Sequence, residues 1–160
     1  YCLVNEILLQ EYFPENWKDM LARYQRDGVD LMELKALPIA TVPASNRLRS
    51  ALDALFNHNR SIPNIVLETA EQSLIFQIAC YGDVLGITNP LSMYDAFHAQ
   101  RKIPTHCHFL RIRDMPEYPV QAAYRRDIDQ PQYLLDFLES VRQEFSYYSI
   151  VLKKNLLPHI

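Results

Sequence analysis

The chain has 160 residues, 49% hydrophobic and 22% charged, the composition of one soluble globular domain or of one full lobe plus part of a second, and not of a disordered segment. A formal net charge of −3 removes the general electrostatic attraction to nucleic acid, so any DNA contact made by a larger parent protein falls to another segment. The longest apolar runs, such as residues 73–80, are far shorter than the roughly 20 residues a membrane helix needs, and no charged stretch precedes an apolar one at the start.

The opening Tyr1-Cys2-Leu3-Val4 reads as an interior strand, which leads us to expect a longer parent. Residues 5–13 form a short helix candidate. Pro14 can open a second helix through Trp17, Leu21 and Tyr24, closed by Asp27-Gly28. Residues 30–37 read as a short helical connector. The β-branched run 38–42 is a buried strand, broken by Pro43-Ala44-Ser45-Asn46. Leu48, Ala51, Leu52, Leu55 and Phe56 then recur at helical spacing, with Arg49, Asp53 and Asn57 on the opposite face and an end near His58-Asn59.

Residues 64–67 form a second apolar strand that ends at Glu68-Thr69, where Thr69 and Gln72 match a capping box for a helix running to about Tyr81. Residues 84–88 are a third strand. Asn89 can cap the next helix and Pro90 suits its first position, so residues 91–101 are predicted helical. Strand and helix thus alternate three times, the pattern of βαβ crossovers and a largely parallel sheet. Two β candidates follow, 107–113 and 120–126, separated by a proline-containing break at 114–119. An amphipathic helix over 131–145 then aligns Leu134, Phe137, Leu138, Val141 and Phe145, and residues 146–160 carry no assignment.

The succession NEILLQEYF (5–13), ELKALPIATVPASNRLRSALDALF (33–56), PNIVLETAEQSLIFQIACYGDVLGITNP (63–90), PVQAAYRRD (119–127) and the final amphipathic helix resembles the regulatory domain of LysR-type transcriptional regulators. The resemblance covers about residues 3–145 and rests on the order of weak motifs. It implies an α/β, periplasmic-binding-protein-like fold of two lobes with a small effector in the cleft. On that pattern residues 5–105 form a complete second lobe, 106–145 return to complete a first lobe that is only partial, and 146–160 are a tail. One departure stands out: the family usually has Gly-x-Gly-Ile before its third strand, whereas Val84-Leu85-Gly86-Ile87 puts valine first and leaves the other glycine at Gly82.

In an open α/β sheet, ligands settle at the carboxyl ends of the strands, where helix N-termini present free N–H groups and a partial positive charge. Ser45, Asn46, Thr69 and Asn89 are therefore the candidate effector contacts, suited to a carboxylate or another small polar acceptor, with Arg47 as a further candidate for an anion. The plainer role for each hydroxyl or amide is an ordinary N-cap worth about 1 kcal/mol. Glu68 would repel an anion and is expected to orient a neighbour.

Other signals carry less. His106 and His108 share one strand face and Cys107 the other, so the three do not converge on a metal. Cys2, Cys80 and Cys107 are odd in number and fall in no ligand spacing, as expected of packed, reduced thiols in a cytosolic protein. No Gly-x-Ser-x-Gly elbow surrounds Ser45, and with three glycines in all there is no phosphate loop, so neither a catalytic nucleophile nor a cofactor is expected. Arg111, Arg113, Arg125 and Arg126 read as solvated strand ends. The resemblance implies self-association as a dimer or tetramer, with the helix over residues 47–58 as the candidate interface. A solute-binding protein of a transport system would share the two-lobe architecture, and a small α/β enzyme with an unrecognised site is a third possibility.

Overall fold

The computed structural model describes residues 1–90, 104–116, 121, 123, 125 and 131–155. The chain divides into two compact units, Tyr1–Met115 and Pro116–Pro158.

The first unit is organised by apolar strands too short and too fully buried to lie on a surface. Strands β1 (Cys2–Asn5), β2 (Ile39–Thr41) and β4 (Leu85–Ile87) are buried at every position, while β3 (Ile65–Glu68) alternates half-buried and exposed residues, as an edge strand does. With β5 (Cys107–Leu110) they form a sheet in the order β3-β2-β4-β1-β5. Strand β2 runs parallel to both β3 and β4, and β1 runs antiparallel to β4 and β5. The predicted parallel core is therefore present, with the opening strand inserted against it in the reverse direction. The sheet also takes in Cys107–Leu110, a stretch that the sequence reading gives to the return segment.

Helices cover both faces. Helix α1 (Glu6–Tyr12) starts where Asn5 Oδ1 accepts a hydrogen bond from the Ile7 N–H at 2.8 Å, and α2 (Trp17–Asp27) stops at Gly28. Gly28 sits at φ +83, a region that costs other residues roughly 1–2 kcal/mol, and its N–H returns to Tyr24 O. Leu8, Leu9, Met20, Leu21 and Tyr24 bury themselves with Cys2, Val4, Ile39, Leu85 and Ile87 on one face of the sheet. Helix α3 (Arg47–His58) joins the same face through Leu52 and Phe56, both fully buried and each contributing about 1.5–3 kcal/mol. On the other face, α4 (Gln72–Tyr81) packs across β1, β2 and β4. Gly86 is what allows that approach: a Cβ there would lie 2.7 Å from the Ala79 Cβ. The departure from the family pattern thus leaves a glycine where α4 crosses the sheet.

Three expectations need correction. Residues 31–37 form successive tight turns, begun by Asp30 Oδ1 accepting from the Met32 N–H and carried by i to i+3 bonds, so the connector is not a helix. The capping box at Thr69 is not closed: α4 begins at Gln72 with Glu71 in the N-cap position, and Thr69 Oγ1 accepts from the Glu71 N–H at 3.1 Å, making a turn one step earlier. The final helix, α5 (Gln132–Asn155), continues ten residues beyond the predicted end, through most of the segment left unassigned. In the second unit Leu134, Leu138 and Val141 are half-buried along it, whereas Phe137 and Phe145, 61% and 36% exposed, stand outside the stripe predicted for them. The predicted helix over 91–101 lies outside the described residues, as does most of the 120–126 strand candidate.

Candidate functional site

Because β2, β3 and β4 are parallel, their carboxyl ends share one edge of the sheet, and each of the predicted site residues follows one of those ends. Ser45 and Asn46 are exposed in the turn after β2, the strand between the other two, and Arg47, also exposed, is the first residue of α3. Asn46 is the N-cap of α3, its Oδ1 accepting the Leu48 N–H at 2.9 Å. Thr69 is half-buried after β3, and its N–H donates to Thr41 O at 3.0 Å. Asn89 is half-buried after β4.

The hydrogen bonds join these junctions through residues that the sequence reading passed over. Gln72 Oε1 accepts from Thr88 Oγ1 and from Asn89 Nδ2, each at 2.9 Å, tying the start of α4 to the end of β4. Thr41, fully buried, reaches across from β2 with its hydroxyl 3.5 Å from Ile87 O. Asn89 is thereby held against the start of α4, while Thr69 is tied to β2 through Thr41 and to the turn before α4 through Glu71. The signals were present but ambiguous: Gln72 fits a capping box, and Thr88 fits a strand end.

A charge cluster flanks this edge. Arg49 is 13% exposed and forks between Asp53, at 2.8 Å one turn along α3, and Glu68 at the end of β3. The sequence places Arg49 and Asp53 on the outer face of their helix; the fold instead folds Arg49 back onto the strand end. Glu68 holds the guanidinium in its charged form most strongly, against partial desolvation. The negative charge of Glu68 is thus matched by a neighbour beside the polar edge. Helix α3 has no acidic residue in its first turn, whereas the N-cap of α4 is Glu71, whose charge offsets the partial positive charge of that N-terminus.

A family model, the LysR substrate binding domain, matches residues 18–146. The chain belongs to that family. No curated protein and no solved structure matches it. A LysR substrate-binding domain is the effector-binding, regulatory domain of LysR-type transcriptional regulators, a family without catalytic chemistry and with a periplasmic-binding-protein-like fold. The mixed sheet flanked by helices in this domain is of that α/β kind.

The remaining candidates of this LysR domain resolve into packing. His106 Nε2 lies 3.3 Å from Cys80 O, while His108 faces the other way, its Nε2 2.8 Å from Glu6 Oε1 and its Nδ1 3.4 Å from Gln25 Nε2. Among the described residues, no group of three or more His, Cys, Asp or Glu side chains could hold a metal ion. Arg113 is exposed and pairs at the surface with Asp30 at 3.2 Å. Among the described residues, no helix is long and apolar enough to cross a membrane.

Proposed function

We propose that this domain binds a small polar effector, anionic in its preferred form, at the carboxyl edge of β2, β3 and β4. Ser45, Asn46, Thr69 and Asn89 contact it and Arg47 lies beside them. The observation that supports this reading best is the common edge at which the junctions after β2, β3 and β4 lie, with Asn89 held by Gln72 and the N-terminus of α3 without an acidic first turn. Such an edge offers donors to an acceptor and no catalytic group. In this reading the first unit is the second lobe of a two-lobe sensor. We place the return to the first lobe after Met115 and not after Thr105, because β5 hydrogen-bonds to β1.

Effector bound between the lobes would shift their angle, change the geometry of a dimer or tetramer, and so reposition DNA-binding domains carried elsewhere in the regulator. Delivery of a solute to a transporter is the alternative for this architecture, and the family match favours regulation.

A thermal-melt screen with small mono- and dicarboxylates tests the binding. At least one should raise the unfolding midpoint. Ser45→Ala then separates ligand contact from capping, because Ser45 is not the N-cap of α3: it should leave the unliganded midpoint unchanged and weaken binding by about tenfold. A chain whose midpoint ignores every anion tried would end this reading.

A further inference from the structure

We infer that Cys80 and Cys107 are a paired oxidation site, closing to a reversible disulfide that ties the last turn of α4 to β5. The two residues are 27 positions apart in sequence, yet their sulfurs lie 3.3 Å from each other and share a hydrogen bond. An S–S bond of roughly 2.05 Å requires them to approach by little more than about 1 Å. Their proximity does not depend on the sulfurs alone. Asn5 Nδ2 donates to Cys80 O at 3.3 Å, and His106 Nε2, from the residue before β5, lies 3.3 Å from the same oxygen. Side chains from the start of α1 and the approach to β5 therefore converge on the end of α4, where the thiol pair sits.

The pair also divides the work. When Cys80 ionises, the Cys107 S–H donates to it and lowers its pKa, against burial and against the partial negative charge of a helix C-terminus. The same bond and burial raise Cys107, which keeps its proton. Cys2 is different. Its side chain faces the opposite side of the sheet from Cys107, and burial pushes its thiol up to about 12, so it stays protonated and inert.

With hydrogen peroxide as oxidant, the Cys80 thiolate attacks one peroxide oxygen; the O–O bond breaks, and the departing hydroxide takes up a proton as water. The Cys107 sulfur then attacks the sulfenic sulfur of Cys80. The S–S bond forms, the S–O bond breaks, and a second water leaves with the Cys107 proton. Two thiols lose two electrons in total and the peroxide gains them. A small dithiol reverses the step by exchange. The attacking Cys80 is fully buried and Cys107 is 5% exposed, so the oxidant that reaches the pair must be small and must enter through a local opening of the fold.

The test uses the intact chain. After brief peroxide treatment, quenching, unfolding and alkylation, the three free thiols should fall to one, with Cys2 alkylated and a Cys80–Cys107 cross-linked peptide seen by mass spectrometry. Dithiothreitol should restore all three. Cys2→Ala should keep the link, and Cys107→Ser should abolish it and leave a Cys80 sulfenic acid that a 1,3-diketone traps. Three alkylated thiols after peroxide would overturn the inference. So would a link that includes Cys2 or joins two chains, or one that forms only in the denatured chain. The mapping on the unsubstituted chain decides even if Cys107→Ser fails to fold.

Discussion

Gln72 shows how much one side chain carries at this edge. Its Oε1 satisfies the hydroxyl of Thr88, which is fully buried, and the amide of Asn89. Gln72→Ala should therefore cost about 1–3 kcal/mol in urea unfolding, the penalty of stranding a buried donor. Asn46→Ala removes only an exposed cap and should cost about 1 kcal/mol at most. If the two losses were equal, Gln72 would be acting as an ordinary helix-start residue. Arg49 and Glu68 make a different contrast, because Glu68 is 43% exposed and solvent weakens the pair. Glu68→Gln should shift stability by less than about 1 kcal/mol.

At the scale of the element, α4 is the helix most tightly constrained by the sheet. Gly86→Ala would drive a methyl group into Ala79, with Ile75 Cγ2 at 3.3 Å and Leu3 Cβ at 3.4 Å around it. Overpacking of this kind costs about 1–3 kcal/mol. The measurement is the urea midpoint of Gly86→Ala, paired with Ala79→Gly, which should recover part of the loss. A neutral Gly86→Ala would mean that α4 stands off the sheet. Helix α5 invites the opposite test, of length. Ser146 lies mid-helix, its hydroxyl donating to Arg142 O at 2.8 Å, so Ser146→Pro should cost about 3 kcal/mol locally and lower the helical circular-dichroism signal. An unchanged signal would put the helix end near Phe145.

For the molecule as a whole, the buried Cys2 thiol sets an alkaline limit. Its pKa is raised by burial from 9.0 to about 12, so the folded chain keeps a proton that the unfolded chain gives up. Stability is then complete below 9.0 and falls as pH rises toward about 12. Tyr24 adds to the same slope, its phenol held protonated by burial and by donation to Glu33 Oε2 at 2.9 Å. Urea unfolding across that window should show the decline, and Cys2→Ala should make it shallower, leaving the share owed to Tyr24. A pH-independent midpoint there would mean that the core around β1 admits water.

The amino-acid order by itself determined most of the elements, because hydrophobic period, proline breaks and capping residues act over a few neighbours. The stripe of α3, its Asn46 cap and the closure of α2 at Gly28 were legible for that reason, and so was the family. Contacts between distant segments have no such local trace. Only the tertiary structure decided that β1 runs against its neighbours and that β5 joins it. The same holds for Gln72 reaching Asn89, Arg49 turning back onto Glu68, and Cys80 meeting Cys107. Each of these is a choice of partner, and partners are set by how the sheet and its covering helices pack. The extra length of α5 was legible but not read: Tyr148 and Leu152 continue the spacing of Leu134, Leu138, Val141 and Phe145, and Tyr148 packs its ring against Phe145.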